Sequence, residues 1–336
     1  MPAGPLGGVL GLLTAGVVFA VVMATAYEFA RITASYDYRS FCKQLLGRGW
    51  LIYEVAYVAL VVLILAVVGS AAGTLVREAT GLPVMAGTIG MMTLVGVLTF
   101  YGSSAIATVL SLWSVLLYLV YLVLFAETFA SQGANIVSAL GETSDAGAAP
   151  LAGLRYAGYN ISLPSVLFCM TLLTTRRQTL GAGAMTGLIA IVPALLFFVA
   201  MLAYYPQIAD EPVPALYVIG QLSSPWLNGV FQLVVFGTFV ETGAGVLHSI
   251  NERIDVQAHE GGHHLPRWAR PAIAAALLLV SIYGATAIGI VDLIASGYGM
   301  LSWVFIVVLI VPLLTAGTWR IIRTGQAGTC PQGQHR

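Results

Sequence analysis

Apolar runs of about 18 or more residues recur along the whole chain, and each is long enough to cross a hydrocarbon core of roughly 30 Å. They are far too long for the alternating strands of a membrane β-barrel. Of the 336 residues, 59% are hydrophobic and only 8% are charged, which is too little charge to hydrate the surface of a soluble domain. The sequence therefore predicts an all-α, polytopic protein of the lipid bilayer.

The hydropathy pattern predicts nine transmembrane helices. They run roughly over residues 6–27, 50–76, 84–102, 104–126, 153–173, 181–205, 225–250, 270–290 and 298–319.

Positive charge is distributed unevenly among the segments that connect these helices. Twelve of the 14 Lys and Arg residues fall in alternate connections or in the tail, whereas residues 127–152 and 206–224 contain none. Because cytoplasmic segments retain positive charge, we expect the tail 320–336 in the cytoplasm and the N-terminus outside. The chain would then be a multi-pass protein of the inner (cytoplasmic) membrane, with 127–152 as an extracytoplasmic loop.

Two parts of the chain share the same order of helices and connections. Residues 1–126 contain four predicted helices, and residues 153–319 contain five. Two repeats with an odd number of helices lie in the membrane with opposite orientations, as in many secondary transporters. On this interpretation, 1–126 is an incomplete first repeat that lacks one helix before Met1. A true nine-helix protein is the alternative.

The segment LRYAGYNISLP (154–164) puts polar residues and a proline in the middle of a predicted span. Since Pro164 lacks an N–H and clashes with the preceding turn, we expect a break at 160–164. The N-terminus of a second half-helix would attract an anion, and unwound carbonyls would attract a cation. The alternative is a simple kink whose freed backbone groups form hydrogen bonds with neighbouring helices. The candidate substrate-binding residues are Tyr156, Tyr159, Asn160, Ser162 and Pro164.

The span 225–250 contains a carboxylate, Glu241, between Thr238 and Thr242. A carboxylate in hydrocarbon is costly and usually faces a partner or a water-filled cavity. The two threonines are four residues apart and share a helix face. Oxygen ligands suit a hard cation, so these three residues are a candidate ion-coupling site for Na⁺ or H⁺. In the alternative, the threonines bond to their own helix backbone and Glu241 pairs with a neighbouring helix.

The segment LRYAGYNISLP, the following TTRRQ loop and the order of the spans resemble the YkvI family of bacterial membrane proteins. This family is grouped with the amino acid–polyamine–organocation transporters of the LeuT fold. The resemblance covers nearly the whole chain and is most specific at Tyr159, Asn160 and Pro164. It implies a LeuT-like inverted repeat of five plus five helices without the first helix. It also implies that 225–250 is the eighth helix, where hydroxyl groups help to bind sodium.

The broken helix, the repeat pattern and the resemblance together predict a secondary transporter. Its cargo would be a small organic solute, an amino acid or a related amine, moved by ion-coupled alternating access. A non-transporting membrane subunit or sensor built on a transporter scaffold is the alternative. The sequence pattern leaves the oligomeric state open.

Few residues indicate an enzyme, a disulfide framework or a metal site. The chain contains no G-x-S-x-G and no Cys-x-x-Cys pattern, so we expect no enzyme. The spacing of Cys42, Cys169 and Cys330 predicts neither a disulfide framework nor a zinc site. The histidines of QAHEGGHHLPR are interpreted as part of a solvated loop rather than as a metal site. We expect no cofactor besides the coupling ion, and no nucleic-acid partner.

Overall fold

The computed structural model describes residues 4–101, 103–142, 145–161, 172–211, 214–221, 225–260, 269–287 and 290–327. These residues are mostly helical and contain no strand. The helices are α1 (Gly4–Thr33), α2 (Tyr38–Leu46), α3 (Trp50–Thr80), α4 (Val84–Tyr101), α5 (Ser103–Leu140), α6 (Ala149–Asn160), α7 (Arg176–Leu202), α8 (Pro214–Gly220), α9 (Pro225–Glu260), α10 (Ala269–Ala287), α11 (Ile290–Asp292), α12 (Gly299–Phe305) and α13 (Thr318–Ala327). The π-helical stretches Leu293–Tyr298, Ile306–Ile310 and Leu313–Gly317 lie between the last three helices.

The helix lengths confirm an all-α, polytopic membrane protein. Within the described residues, six helical stretches are long and apolar enough to span a bilayer, and two shorter apolar helices cover Val84–Thr99 and Ala272–Ala287. These stretches match eight of the nine predicted spans. The remaining predicted span, 153–173, is described only as far as residue 161, where α6 has ended.

Helix α5 extends further than the sequence suggested. It continues to Leu140, with a single non-helical residue at Gln132 (φ −129°, ψ 17°). Ile136 and Ala139 are buried one turn apart, so packing holds a helix where the composition of residues 127–152 indicated only a loop. The connection between α5 and α6 is therefore shorter than expected.

The helices form two compact units, each drawn from both halves of the chain. The first unit comprises Met1–Leu6, Tyr57–Ser144 and Leu195–Gly299. The second comprises Gly7–Ala56, Asp145–Ala194 and Met300–Arg336.

In the first unit, a glycine face brings α3 and α4 together. A Cβ at Gly73 would overlap Thr88 Oγ1 and lie 2.5 Å from Val84 O. The Thr88 hydroxyl donates to Gly69 O at 3.0 Å, so a small-residue interface is also hydrogen bonded. The apolar core of this unit consists of Leu75, Val120, Leu124, Ile208, Val218, Phe231, Val234 and Val235.

In the second unit, the short helix α2 packs on α1 and on the C-terminal helical run. Phe41 of α2 meets Phe29 of α1 edge to face, with 5.2 Å between ring centroids. A Cβ at Gly317 would lie 3.6 Å from both Leu45 and Phe29. Asp37 caps the N-terminus of α2, because its Oδ1 accepts the Ser40 N–H at 2.8 Å.

Candidate functional site

Helix α6 ends at Asn160, which is where the sequence predicts the break to begin. Ile161 leaves the helical region at φ −78° and ψ 79°, although its N–H still donates to Ala157 O at 3.0 Å. The other end of α6 follows a turn held by Asp145, whose Oδ1 accepts the N–H groups of Gly147 and Ala148. Ser162 and Pro164, two of the candidate substrate-binding residues, lie outside the described residues.

Two glycines allow close packing around α6 within the second unit. A Cβ at Gly153 would overlap Gly11 O of α1 and lie 2.8 Å from Thr14 Cβ. A Cβ at Gly158 would lie 2.9 Å from Ser302 O and 3.1 Å from Ile306. Backbone groups on two neighbouring segments therefore set the position of α6, and with it the position of the last turn that carries Asn160.

The last turn of α6 carries the three candidate binding residues that are described. The rings of Tyr156 and Tyr159 meet edge to face, with centroids 5.7 Å apart and planes at 75°. Asn160 Nδ2 donates to Tyr156 O at 2.8 Å, and the Asn160 side chain is exposed within the chain. The amide thus satisfies one carbonyl of the helix end, and the Asn160 side chain also forms a hydrogen bond with Tyr159.

The candidate ion-coupling residues lie on α9 in the first unit, where Glu241 contacts α5. Ser114 Oγ of α5 donates to Glu241 Oε1 at 2.8 Å. Glu241 is half-buried, and this contact is the pairing with a neighbouring helix that a carboxylate in a membrane requires. The second carboxylate oxygen, Oε2, remains as an acceptor beside Ser114.

Trp113, the residue before Ser114, fixes the same contact one turn earlier on α9. A Cβ at Gly237 would overlap the indole of Trp113, whose Nε1 donates to Val234 O at 3.1 Å. The Thr238 hydroxyl donates to that same carbonyl at 2.9 Å. The hydroxyl proton of Thr238 is therefore used within the helix, but both lone pairs of Oγ1 stay available to a cation.

The three α9 residues do not share one set of bonds. Glu241 bonds to Ser114 of α5, whereas the Thr238 hydroxyl bonds to Val234 O of its own helix, the carbonyl that also accepts from Trp113. Thr242 follows Glu241 on the helix and is half-buried. The α6 residues and the α9 residues belong to different units.

Sequence reasoning missed a buried carboxylate in the second unit. Glu28 of α1 is 3% exposed and pairs with Arg31 through bonds of 2.9 and 2.6 Å. Thr179 Oγ1 of α7 donates to Glu28 Oε2 at 2.7 Å. The signal was present as an acidic residue three positions before an arginine at the end of an apolar run, but the contribution of Thr179 was not visible.

Arg253, near the end of α9, is a buried cation in the first unit. It is 5% exposed, and its guanidinium carbon lies 3.4 Å from the ring centroid of Tyr57. Tyr57 Oη and Ser249 Oγ are 2.8 Å apart. Tyr57 is thus a buried partner of α9 in the first unit.

The histidine-rich segment at the end of α9 and beyond it contains the spacing of a metal-binding motif. Residues 259–263 read HEGGH, which has the spacing of the zinc-binding H-E-x-x-H motif. That motif requires both histidines on one face of a continuous helix. Two adjacent glycines disfavour such a helix by about 1 kcal/mol each, and residues 261–268 lie outside the described part of the chain. Among the residues that the structure describes, no three His, Cys, Asp or Glu side chains are grouped to hold a metal ion.

Comparison with known proteins identifies the fold but no family. No protein-family model matches the chain, and no curated protein matches its sequence. Its fold is similar to that of the Eremococcus coleocola manganese transporter, whose crystal structure contains an aromatic bis-isothiourea substituted compound. The TM-score is 0.53 at 14% identity, over 92% of this chain and 72% of that chain. This similarity confirms the expected fold class, an all-α, polytopic fold like that of a membrane transporter.

Proposed function

We propose that this chain is a secondary transporter that moves a small organic solute, an amino acid or a related amine, by ion-coupled alternating access. The observation that carries the proposal is the end of α6 at Asn160, inside a predicted membrane span of a chain with a transporter fold. A helix that stops inside a bilayer leaves backbone groups that are satisfied only by protein, water or a ligand. We further propose that the protein belongs with the YkvI-like family and lies in the inner membrane with its C-terminus in the cytoplasm.

The C-terminal end of α6 favours a cationic group. The last carbonyls of a helix lack intrahelical donors and carry the negative end of the helix dipole. An ammonium group of an amino acid or amine would bind these carbonyls and the Asn160 side-chain oxygen. Tyr156 and Tyr159 offer ring faces and edges to the rest of the solute. Ser162 and the backbone N–H groups that follow Pro164 complete the proposed site and would hold its anionic group.

The oxygen atoms at the α5–α9 contact favour a small hard cation or a proton as the coupling ion. Glu241 Oε2, Thr238 Oγ1 and Ser114 Oγ each keep acceptor capacity after the bonds that they make. Na⁺ would use them as oxygen ligands, with Thr242 as a further hydroxyl. H⁺ would instead bind Glu241 alone, and Ser114 would then accept or donate as the carboxyl group requires.

Reconstitution into proteoliposomes tests this function directly. The full chain is supplied with labelled amino acids and amines under an inward Na⁺ gradient, and separately under a proton gradient. We expect uptake of at least one solute to depend on one of the two gradients. Uptake of labelled Mn²⁺ is measured in parallel, because a solved structure of similar fold is a manganese transporter. Uptake of Mn²⁺ in place of every organic solute would refute the proposed cargo.

Matched variants distinguish the proposed sites from general damage. We expect Asn160→Ala to raise the half-saturating solute concentration, whereas Asn135→Ala, which removes an exposed amide bonded to Gln132, leaves it unchanged. For the ion site, Glu241→Gln should abolish coupling and Glu241→Asp should retain part of it. The exposed Glu142 provides a control through Glu142→Gln.

The alternative of a non-transporting subunit or sensor makes the opposite prediction. Folded protein would then show no gradient-dependent uptake of any solute, and Asn160→Ala and Glu241→Gln would leave the phenotype of the cell unchanged. Either result, obtained with protein that elutes as a single species from size-exclusion chromatography, would overturn the transport proposal.

A further inference from the structure

Helix α2 in the second unit is amphipathic, and its apolar face is already covered. Phe41, Cys42 and Leu45 are buried, and Phe41 packs against Phe29 of α1. The other face carries Lys43 and Gln44, which are exposed. The polar face of α2 is therefore the one that meets the surroundings of the protein.

Two cations of α2 lie at a tryptophan that begins an apolar helix. The Arg39 guanidinium carbon is 5.2 Å, and Lys43 Nζ is 5.5 Å, from the ring centroid of Trp50. Leu51 and Ile52, the next residues of α3, are 57% and 59% exposed. Tryptophan at the start of a lipid-facing helix sits at the level of the phospholipid headgroups, so Arg39 and Lys43 lie at that level as well.

The C-terminal helix α13 repeats this combination beside α2. Arg320 Nη1 donates to Gln44 O at 2.5 Å, which joins the start of α13 to α2. The Arg323 guanidinium carbon lies 3.7 Å from the ring centroid of Trp319. Trp319 and Ile322 are 53% and 54% exposed, so α13 also presents cations, an indole and an aliphatic side chain together.

We propose that these cations form a docking surface for the headgroups of anionic phospholipids. This basic interfacial surface consists of Arg39, Lys43, Arg48, Arg320 and Arg323.

Charge complementarity and geometry favour phospholipid headgroups as the ligand of this surface. Between residues 36 and 50, Asp37 is the only acidic residue, and its carboxylate caps α2 through the Ser40 N–H. Guanidinium groups bind phosphate oxygens in a bidentate manner. The exposed Trp319 ring and the aliphatic side chains beside these cations would suit acyl chains, which a free phosphate ion would not supply. Each Lys or Arg near an anionic membrane surface strengthens binding about fivefold.

Native mass spectrometry of the full-length protein tests the proposal. Protein in detergent is equilibrated with equal amounts of phosphatidylglycerol and phosphatidylcholine, and the ratio of the two lipids retained is measured. We expect the unsubstituted protein to prefer phosphatidylglycerol. The variant R39Q/K43Q/R320Q/R323Q should lower that preference at least about tenfold. The preference of the unsubstituted protein should also fall with added salt, because exposed charges are screened.

A pair of two-charge variants provides the matched comparison. K43Q/R48Q removes two exposed cations of the basic interfacial surface, and R77Q/R155Q removes two exposed cations elsewhere. Only the first should lower the preference for phosphatidylglycerol. K43Q/R48Q also decides the question if the fourfold variant does not fold, because neither side chain is buried. Equal retention of both lipids by the unsubstituted protein, or an equal loss in both two-charge variants, would overturn the proposal.

Discussion

Thr179 Oγ1 donates a 2.7 Å hydrogen bond to Glu28 Oε2 and thereby joins helix α7 to helix α1. The carboxylate is 3% exposed and Thr179 is fully buried. Arg31 holds the same carboxylate through two further bonds. A buried carboxylate is tolerated only when its charge is paired and its oxygens are hydrogen bonded, and here α1 and α7 supply these partners together.

We expect Thr179→Val to lower the free energy of unfolding by about 1.5–3 kcal/mol, because a hydrogen bond to a buried charged group is lost. Urea unfolding of the protein in detergent, followed by circular dichroism, measures this change. Thr25→Val is the matched control on α1, since the Thr25 hydroxyl bonds only to Val21 O of its own helix within the described residues. Equal stability losses in the two variants would show that the Glu28 contact does not contribute.

The amino-acid sequence predicts the helices of this protein better than it predicts their contacts. Apolar runs of membrane-spanning length locate eight helices because hydrocarbon requires an unbroken backbone ladder. The end of α6 at Asn160 also follows from local chemistry, namely the proline four residues later. Helix α5 is the exception, since its residues beyond 127 are helical through burial of Ile136 and Ala139.

Contacts between distant segments are where the sequence alone is insufficient. Glu28 and Thr179 are separated by 151 residues, and no local sequence pattern predicts the hydrogen bond between them. Glu241 was recognised because a carboxylate is rare in an apolar run. Its partner Ser114 could not be recognised, because serine is common in membrane helices and nothing near it in the sequence marks it as a partner. Periodicity identifies which side chains need partners, whereas only the packing of helices decides which partners they receive.

The glycine at position 153 provides a steric test of how α6 is positioned. Gly153→Ala would push a methyl group against Gly11 O and Thr14 Cβ, and we expect it to destabilise the protein by about 1–3 kcal/mol. Gly90→Ala is the control, because a Cβ at Gly90 meets no atom within 4 Å and alanine favours a helix. In detergent, the thermal unfolding temperature should therefore fall for Gly153→Ala and rise for Gly90→Ala. A neutral Gly153→Ala would contradict the close approach of α6 and α1.

Trp113 and Gly237 allow the α5–α9 contact to be tested by a double-mutant cycle. Gly237→Ala introduces a Cβ into the space of the Trp113 indole, and we expect a loss of about 1–3 kcal/mol in unfolding free energy. In the background of Trp113→Leu, the same change should cost less, which gives a coupling energy of about 0.5–3 kcal/mol. Gly229→Ala on the same helix meets no neighbouring atom and should show no coupling to Trp113.

Removal of the Asp37 cap should open helix α2 without unfolding the protein. Asp37→Ala leaves the Ser40 N–H without the acceptor that it has at 2.8 Å, and loss of an N-cap costs about 0.5–2 kcal/mol. Hydrogen exchange of the first-turn amides of α2 should accelerate accordingly, by about five- to thirtyfold for a cost of 1–2 kcal/mol. Asp37→Asn should restore slow exchange, because asparagine caps a helix as well as aspartate does. Since Phe41 still packs on Phe29, exchange in α1 should stay unchanged, and faster exchange throughout α1 would show that the cap supports more than α2.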